Sequence, residues 1–363
     1  MSIKILHAAD FHLDSAFAGL TSEQAKLRRR ESRQLLERLS NYVNQKSIDV
    51  VLLAGDLFDS ATTYRETIEA LSDALGGMQA KVFIAPGNHD YYAARSPYAT
   101  LVWPENVHIF KTREIERVEL PELGCAVYGA AFTDAAQETG LLEGFTAPQD
   151  GLIHLMVLHG DMNAAEARYD PITKEQIAAS GLDYLALGHT HQFGGVLTAG
   201  KTAYAYSGCP EGRGFDETGA KGVLCGTVEH EWVDIKFIPF AKRRYHILHA
   251  DVTGKTAEEA LQSAMPETAA SDLCRVIFTG ETDERGVDIK SMQERFAPDC
   301  FHLELRDGTR IREDIWARAQ EDSLRGLFLR ELRGKYDAAA EDERPAIEKA
   351  VRFGLAALDR RDL

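Results

Sequence analysis

Short apolar runs alternate with helical patterns through about residue 240, an arrangement typical of a layered α/β fold. Ile3 to Ala9 has the composition of a buried strand, and a capping-box pattern at Thr21-x-x-Gln24 then opens a helix. A second capping-box pattern, Thr63-x-x-Glu66, predicts another helix. The remaining apolar runs predict strands over residues 49–54, 81–85, 125–132, 152–158, 184–187 and 203–206, followed by a hairpin over residues 222–238.

From Tyr245 onward the pattern predicts a compact second α/β unit. Its strands are expected over residues 245–252, 275–279 and 301–305, with helices over residues 256–265 and 288–296. Beyond about Arg310 the composition is helical, and one apolar stripe is expected along a helix face: Leu324, Leu327, Phe328, Leu332 and Tyr336. We therefore expect three parts, residues 1–244, 245–309 and 310–363.

The composition is that of an ordinary globular protein. Of the 363 residues, 44% are hydrophobic and 27% are charged, which excludes disordered and coiled-coil classes. The net charge of −16 disfavours unspecific adhesion to nucleic acid or anionic lipid, because a polyanion is repelled by the summed field of the protein. Five scattered cysteines predict reduced thiols, not disulfides or a zinc knuckle. We expect a cytoplasmic protein with no membrane contact, because no apolar run approaches the roughly 18 residues of a membrane helix and the first residues lack a signal peptide.

Five polar clusters each follow an apolar strand run. They are Asp10-Phe-His12, Gly55-Asp56-Leu-Phe-Asp59, Gly87-Asn88-His89-Asp90, His159-Gly160 and Gly188-His189-Thr-His191. In open α/β sheets, residues just past the carboxyl ends of the strands converge on the ligand site. The clusters are therefore predicted to meet in space.

The ligand types in these clusters predict a site for two divalent metal ions. Carboxylate oxygens, an amide oxygen and imidazole nitrogens, without a thiolate, suit manganese, iron or zinc better than magnesium or calcium. Two ions held close together need a ligand that bridges them, and a carboxylate offers an oxygen to each. Asp56, in the middle of the set, is the expected bridge.

The five clusters together resemble the calcineurin-like metallophosphoesterase superfamily, and their spelling looks most like the SbcD-type nuclease subunits, particularly the bacterial YhaO group. The resemblance implies a four-layer αββα metallophosphoesterase sandwich over residues 1–244, as the nuclease domain. It also implies a small α/β capping domain over residues 245–309 and a helical C-terminal tail over residues 310–363. The tail is the candidate docking segment for an SbcC-like, SMC-type ATPase.

The resemblance also implies roles for individual residues. One metal ion would be held by Asp10, His12, Asp56 and His191. The other would be held by Asp56, Asn88, His159 and His189. His89 is similar to the general acid of the family, with Asp90 orienting it, and manganese is the preferred ion of the family for nuclease work.

A manganese-dependent nuclease acting on DNA in repair is the main hypothesis, with water attacking phosphorus and His89 protonating the departing sugar oxygen. A small-molecule (nucleotide) phosphodiesterase or phosphomonoesterase of the same superfamily is the alternative, and a non-catalytic scaffold is a remote one. A protein phosphatase is disfavoured, because Ser60 and Ala61 follow Asp59 where that branch has Arg-Gly. The sequence leaves open whether two chains pair and which residues contact substrate.

Several polar residues near the clusters have both a structural and a functional interpretation. His7 and Asp14 are candidates for supporting contacts, and Asp59 is expected to brace its turn. Arg213 and Lys221 are expected either to meet phosphate or to face solvent, and Cys209 stands where the family has serine or threonine. The densest basic runs, residues 28–30 and 242–244, are interpreted as solvated helix faces or domain junctions.

Overall fold

The computed structural model describes residues 2–60, 63–162 and 168–358. The chain divides into two compact units, Met1–Lys242 and Arg243–Leu363. This division lies two residues before the predicted end of the first domain. The roles predicted for a capping domain and a docking tail stay predictions.

The first unit contains twelve strands and four helices in its described residues. The strands are β1 (Ser2–Ala8), β2 (Val50–Leu53), β3 (Lys81–Ile84), β4 (Val107–Ile109), β5 (Glu116–Leu120), β6 (Cys125–Gly129), β7 (Ile153–His159), β8 (Tyr184–Gly188), β9 (Leu197–Ala199), β10 (Thr202–Tyr206), β11 (Gly222–Glu229) and β12 (Trp232–Pro239). The helices are α1 (Ser22–Lys46), α2 (Arg65–Gly76), α3 (Pro97–Thr100) and α4 (Lys174–Ala179).

These strands form two six-stranded sheets. The first has the order β12-β11-β1-β2-β3-β4, and the second has the order β5-β6-β7-β8-β10-β9. Strands β1 to β4 are parallel, as are β6, β7, β8 and β10, whereas β11, β12, β5 and β9 run antiparallel to their neighbours. The parallel strands bring their carboxyl ends to one edge of each sheet, where the polar clusters follow.

Three apolar clusters separate four layers, which confirms the predicted αββα sandwich. Helices α1 and α2 pack on the outer face of the first sheet, where Leu36 and Leu39 join Val51. Residues from both sheets fill the middle cluster: Ile5, Val50, Leu155 and Ala186 are among them. On the other side, α4 covers the second sheet.

The predicted elements agree with most of the observed ones, with instructive exceptions. Thr21 caps α1 with a complete capping box, as predicted. The box predicted at Thr63 is wrong: α2 begins at Arg65, and the Thr63 hydroxyl donates to the Ser60 carbonyl. Three short strands at sheet edges, β4, β5 and β9, were not predicted. Their partly exposed or charged sequences lack the apolar runs that mark a buried strand.

The second unit is a separate small α/β structure. Its elements are β13 (Tyr245–Asp251), α5 (Ala257–Ala264), β14 (Leu273–Thr279), β15 (Glu281–Thr282), α6 (Ile289–Phe296), β16 (His302–Asp307), β17 (Arg310–Ile311), α7 (Glu313–Ala317), α8 (Leu324–Ala338) and α9 (Arg344–Leu358). Strands β13, β14 and β16 form a parallel sheet. The tail does not start as a helix, because β17 pairs with β15.

The apolar stripe predicted for the tail divides into two parts. Phe328, Leu332 and Tyr336 pack against a cluster formed by α7, α8, α9 and β17. Leu324 and Leu327 are 69% and 56% exposed. The last five residues of the predicted tail, 359–363, lie outside the described residues. Among the described helices, none combines the length and the apolar character that crossing a membrane requires.

Candidate metal centre

The two sheets bring the five polar clusters to one place in the first unit. Asp10, Asp56 and Asn88 lie in the segments that follow β1, β2 and β3, whereas His159 ends β7 and His189 follows β8. The sheets approach closely here, because a Cβ atom on Gly188 would lie 1.7 Å from the Ala54 carbonyl oxygen. This contact requires glycine at the position directly before His189.

Four of the seven predicted ligands have a left-handed backbone. Their φ angles are 56° at Asp10, 42° at His12, 51° at Asp56 and 105° at His189. Such conformations cost about 1–3 kcal/mol each for residues other than glycine, and they concentrate at functional sites. The backbone is therefore bent to aim these side chains at a common point.

One group of ligand atoms is formed by Asp10, His12 and His191. Each of these residues contributes one oxygen or nitrogen atom, and the atoms lie within 4.8 Å of one another. The two histidine Nε2 atoms are 3.2 Å apart. This group contains three of the four residues predicted for the first metal ion.

A second group is formed by Asp10, Asp56 and His159, again within 4.8 Å. His159 Nε2 lies 2.9 Å from Asn88 Oδ1 and 3.4 Å from Asp56 Oδ2. The same Asp56 oxygen is 3.7 Å from His12 Nε2. Asp56, a member of the second group, thus also lies near His12 of the first, and its role as a bridging ligand stays a prediction. Asp10 belongs to both groups, which the sequence did not indicate.

His189 lies beside the second group, but it is not among the residues whose ligand atoms lie within 4.8 Å of one another. Its ring centroid is 5.2 Å from that of His159, and its Nε2 is 3.9 Å from Asp161 Oδ2. Its backbone N–H donates to the Asp10 carboxylate at 3.0 Å. The structure therefore places all seven predicted ligands around one pocket, and its role as a metal centre stays a prediction.

Three histidines are oriented by contacts to Nδ1, which leave Nε2 for a ligand. His191 Nδ1 lies 2.7 Å from Glu217 Oε1, and His159 Nδ1 lies 2.9 Å from the Ala54 carbonyl oxygen. His12 Nδ1 lies 3.2 Å from Asp59 Oδ1. Such contacts set the tautomer and ring orientation of metal-binding histidines.

Burial and charge give the two carboxylates opposite pKa shifts. Burial raises the pKa of Asp10, and the neighbouring histidines only partly oppose it. Burial also acts to raise the pKa of Asp56, but His159 and His12 outweigh it, so that its pKa is lowered. Asp10 is therefore a buried carboxylate whose ionised form a bound cation would stabilise.

The histidine pKa values also depend on burial first. Burial lowers the pKa of His189 to about 4, which keeps its imidazole neutral, the form that binds metal ions. Burial acts to lower the pKa of His159 as well, but Asp56 and Asp10 outweigh it and raise the pKa. For His191, the hydrogen bond to Glu217 outweighs burial, so that its pKa is raised.

The predicted pairing of His89 with Asp90 does not occur among the contacts that the structure describes. The buried Asp90 carboxylate accepts hydrogen bonds from the backbone N–H groups of Leu57, Phe58 and Gly87, and from the Tyr98 hydroxyl at 2.5 Å. It therefore joins the segment after Asp56 to the segment that carries Asn88. His89 Nδ1 instead lies 3.3 Å from the Asp59 carbonyl oxygen.

Other residues singled out in the sequence have structural partners. Lys221 is buried, and its Nζ donates to the His191 carbonyl and to Gln192 Oε1, so it faces neither phosphate nor solvent. The Cys209 thiol donates to the same His191 carbonyl at 3.5 Å. His7 lies in the core, with its ring nitrogens at the Tyr184 hydroxyl and the Leu187 carbonyl.

Two carboxylates that orient histidines were missed or undervalued. Glu217 was not singled out, because it follows His191 by 26 residues and no spacing rule connects them. Asp59 was interpreted as a turn residue, yet its side chain contacts His12 and Arg213. Its place three residues after Asp56 was the available signal.

The donor atoms in the pocket fit a pair of divalent cations. Asp10 and Asp56 offer carboxylate oxygens, and His12, His159 and His191 offer Nε2 atoms at converging positions. Mixed oxygen and nitrogen donors of this kind suit manganese, iron or zinc.

Comparison with known proteins agrees with this geometry. A family model described as calcineurin-like phosphoesterase matches residues 3–193. The chain is 30% identical over 376 residues to a Bacillus subtilis protein named "Uncharacterized metallophosphoesterase YhaO", covering 99% of this chain and 88% of that protein. It is 29% identical over 266 residues to the SbcD subunit of the B. subtilis nuclease SbcCD, covering 61% and 65%. It is 22% identical over 289 residues to the Methanopyrus kandleri "DNA double-strand break repair protein Mre11", covering 72% and 62%.

Manganese is expected to stabilise the folded protein through this pocket. At a hundredfold excess over Kd, one bound ion adds about 2.7 kcal/mol to the free energy of unfolding. Asp10→Asn should lose most of the rise in Tm that Mn²⁺ produces, because both groups of ligand atoms use Asp10. Thermal unfolding with and without Mn²⁺ measures this, with the exposed Asp134→Asn as the matched control. Equal Mn²⁺-dependent shifts in the two variants would exclude Asp10 as a ligand.

Proposed function

Because the chain belongs to the calcineurin-like phosphoesterase family and is a hydrolase of phosphoesters, we propose that it is a manganese-dependent nuclease acting on DNA in repair. The observation that carries the proposal is the pocket in which Asp10, Asp56 and His159, together with His12 and His191, bring their ligand atoms together. The names of two relatives, one part of a nuclease and the other a double-strand break repair protein, support DNA as the substrate.

The residues of the pocket have separate tasks in this proposal. One cation would be held by Asp10, His12, Asp56 and His191. The other would be held by Asp56, Asn88, His159 and His189, with Asp10 close to both. When bound, two divalent cations supply an activated water nucleophile and neutralise charge on the phosphoryl oxygens.

His89 is the group best placed to donate a proton to the leaving oxygen. Its side chain is exposed, and its ring lies 4.9 Å from the ring of His12 without joining either group of ligand atoms. Its backbone N–H donates to Asp56 Oδ1 at 2.9 Å, which fixes the residue beside the bridging carboxylate. When Nδ1–H donates to the Asp59 carbonyl oxygen, Nε2 is the nitrogen left to face the leaving group, and it donates a proton only from the doubly protonated ring. His89 is therefore the proposed general acid.

Because the protein carries a net charge of −16 and DNA is a polyanion, we expect it to need a partner that holds the DNA. We propose that an SMC-type ATPase grips the DNA and docks on the tail. One relative is, by its name, one component of a larger nuclease. Leu324 and Leu327 on α8 are the two most exposed of the large apolar side chains described in the tail, and we propose that they contact the partner. The reaction is proposed to take place in the cytoplasm.

The substrate class can be tested directly. End-labelled duplex DNA and hairpin DNA, a single-stranded oligonucleotide, a cyclic nucleotide and bis-p-nitrophenyl phosphate would be incubated with the protein and Mn²⁺. We expect cleavage of the DNA substrates, and loss of all activity in Asp56→Ala, because the bridging carboxylate is gone. Hydrolysis of cyclic nucleotides with intact DNA would instead establish the small-molecule phosphodiesterase. A folded wild-type protein that hydrolyses nothing would favour the scaffold.

His89→Asn should reduce turnover of an unactivated diester by about 10²- to 10⁴-fold, the usual contribution of general acid catalysis. Bis-p-nitrophenyl phosphate should be affected much less, since its leaving group needs no protonation. The Mn²⁺-dependent rise in Tm should stay at the wild-type value, because His89 belongs to neither group of ligand atoms. Equal losses on the two substrates would remove His89 from this role.

The docking proposal predicts a loss of ATPase binding without a loss of chemistry. Leu324→Glu combined with Leu327→Glu should abolish association with the ATPase in gel filtration, since both side chains are exposed. Hydrolysis of bis-p-nitrophenyl phosphate should be unchanged. Leu358→Glu, also on an exposed position of the tail, is the matched control. Undiminished association of the double variant would reject this surface as the dock.

A further inference from the structure

A fully buried arginine lies in α1 at a position where the sequence suggested a solvated basic run. Arg28 has no exposed surface, in contrast to Arg30 two residues later. Its Nη1 lies 2.9 Å from Glu31 Oε2 and 2.8 Å from Glu211 Oε1, and both glutamates are buried. Its Nη2 donates to the Gly212 carbonyl at 2.9 Å. Burial removes these charges from water, and the cost of that desolvation offsets much of their mutual attraction. The ion pairs of Arg28 therefore contribute little to stability, and their main effect is to position the residues that they contact.

The second basic run of the sequence reaches the same two glutamates. Lys242 Nζ lies 3.2 Å from Glu31 Oε1, and the Lys242 backbone N–H donates to Glu211 Oε2 at 3.1 Å. Each of the two carboxylates therefore lies between Arg28 and Lys242. Glu31 contacts the ammonium group of Lys242, whereas Glu211 accepts from the backbone N–H of the same lysine. The segment that carries Glu211 and Gly212 is tied to α1 and to the end of the first unit.

The next residue along that segment connects it to the metal centre. Arg213 Nη1 lies 3.2 Å from Asp59 Oδ1, and Arg213 Nη2 lies 2.7 Å from Glu217 Oε1. These two carboxylates are the ones that contact Nδ1 of His12 and of His191. Arg213 thus holds both orienting carboxylates from a point directly after the segment fixed by Arg28.

The described contacts of this network lead to one of the two groups of ligand atoms. His12 and His191 belong with Asp10 to a single group of ligand atoms. His159, in the other group, takes its orientation from the Ala54 carbonyl and from Asn88. Hydrogen bonds and ion pairs among the described residues connect Arg213 to the first group, through Asp59, Glu217 and His191.

We propose that Arg28 is a positioning residue for one of the two cation sites, acting through Glu211, Gly212 and Arg213 on the carboxylates that orient His12 and His191. The proposal rests on the two-metal centre proposed above and adds that the two sites depend on different parts of the fold. Loss of Arg28 removes one of the two partners that Glu31 and Glu211 share, with Lys242 as the other, and it removes the donor to the Gly212 carbonyl. Arg213 and the orienting carboxylates then lose their fixed position.

Native mass spectrometry of the metal-free full chain titrated with Mn²⁺ tests this, because it counts ions without requiring activity. The wild type should pass through a one-ion species to a two-ion species. In Arg28→Met, one of the two stepwise affinities should fall ten- to a hundredfold, the usual effect of losing a group that orients metal ligands, while the other stays unchanged. Arg30→Met, on the exposed neighbour, is the matched control and should bind like the wild type.

Each other outcome has a distinct meaning. Two unchanged affinities in folded Arg28→Met would overturn the positioning role and leave the proposed function intact. An equal fall in both affinities, with a lower Tm, would also overturn it, in favour of a purely structural role. A wild type that never binds a second ion would reject the two-metal function itself, and this inference with it.

Arg28→Lys serves if the methionine variant does not fold. It keeps the charge, but one ammonium group does not reproduce the planar fork that reaches Glu31, Glu211 and Gly212 together. We expect a fall of about tenfold in the same single affinity, within the range for orienting groups. Wild-type affinities at both sites in the lysine variant would overturn the proposal.

Discussion

The pocket is organised around two buried carboxylates, Asp10 and Asp56, that lie close together where the two sheets meet. Each raises the cost of ionising the other, and the surrounding side chains determine how much of that cost is met. His159 and His12 provide enough positive charge for Asp56 but not for Asp10. Bound cations would correct this imbalance, and the nitrogen and oxygen ligands that surround the two carboxylates fit such cations.

The fold keeps these carboxylates together at a conformational cost. The backbone at Asp10, at Asp56 and at His189 lies in the left-handed region, and Gly188 allows the second sheet to touch the first. Burial of the apolar side chains between the two sheets provides free energy that offsets this strain. That burial involves the strands and is unaffected by the conformation of the loops. The Asp90 carboxylate adds a direct connection between two of the loops. The sheets fix the positions of the loops, and the left-handed backbone at the loop ends directs the side chains of Asp10, Asp56 and His189 toward one site.

The sequence predicted the layers and the converging clusters because both follow from local patterns. A buried strand is recognisable from its apolar run, and the polar residue after it, such as Asp10 or Asp56, lies at a known edge of the sheet. The role of Glu217 and the burial of Arg28 were not recognised. Glu217 is distant in sequence from His191, as Glu211 is from Arg28, and no periodicity indicates that a charged residue is buried. Asp90 was assigned to His89 through the family resemblance, whereas its hydrogen bonds go to backbone groups around Asp56. Adjacency and composition suggest which residues belong to a site, and only the tertiary contacts show which atoms meet.

We propose that this pocket holds two divalent cations, with the Asp56 carboxylate between them. Anomalous diffraction at the manganese absorption edge, from a crystal grown with Mn²⁺, would locate the ions. Two peaks about 3.5–4 Å apart are expected, one beside His12 and His191 and the other beside Asn88 and His159. A single peak, or peaks outside the pocket while it stays empty at saturating Mn²⁺, would contradict this proposal.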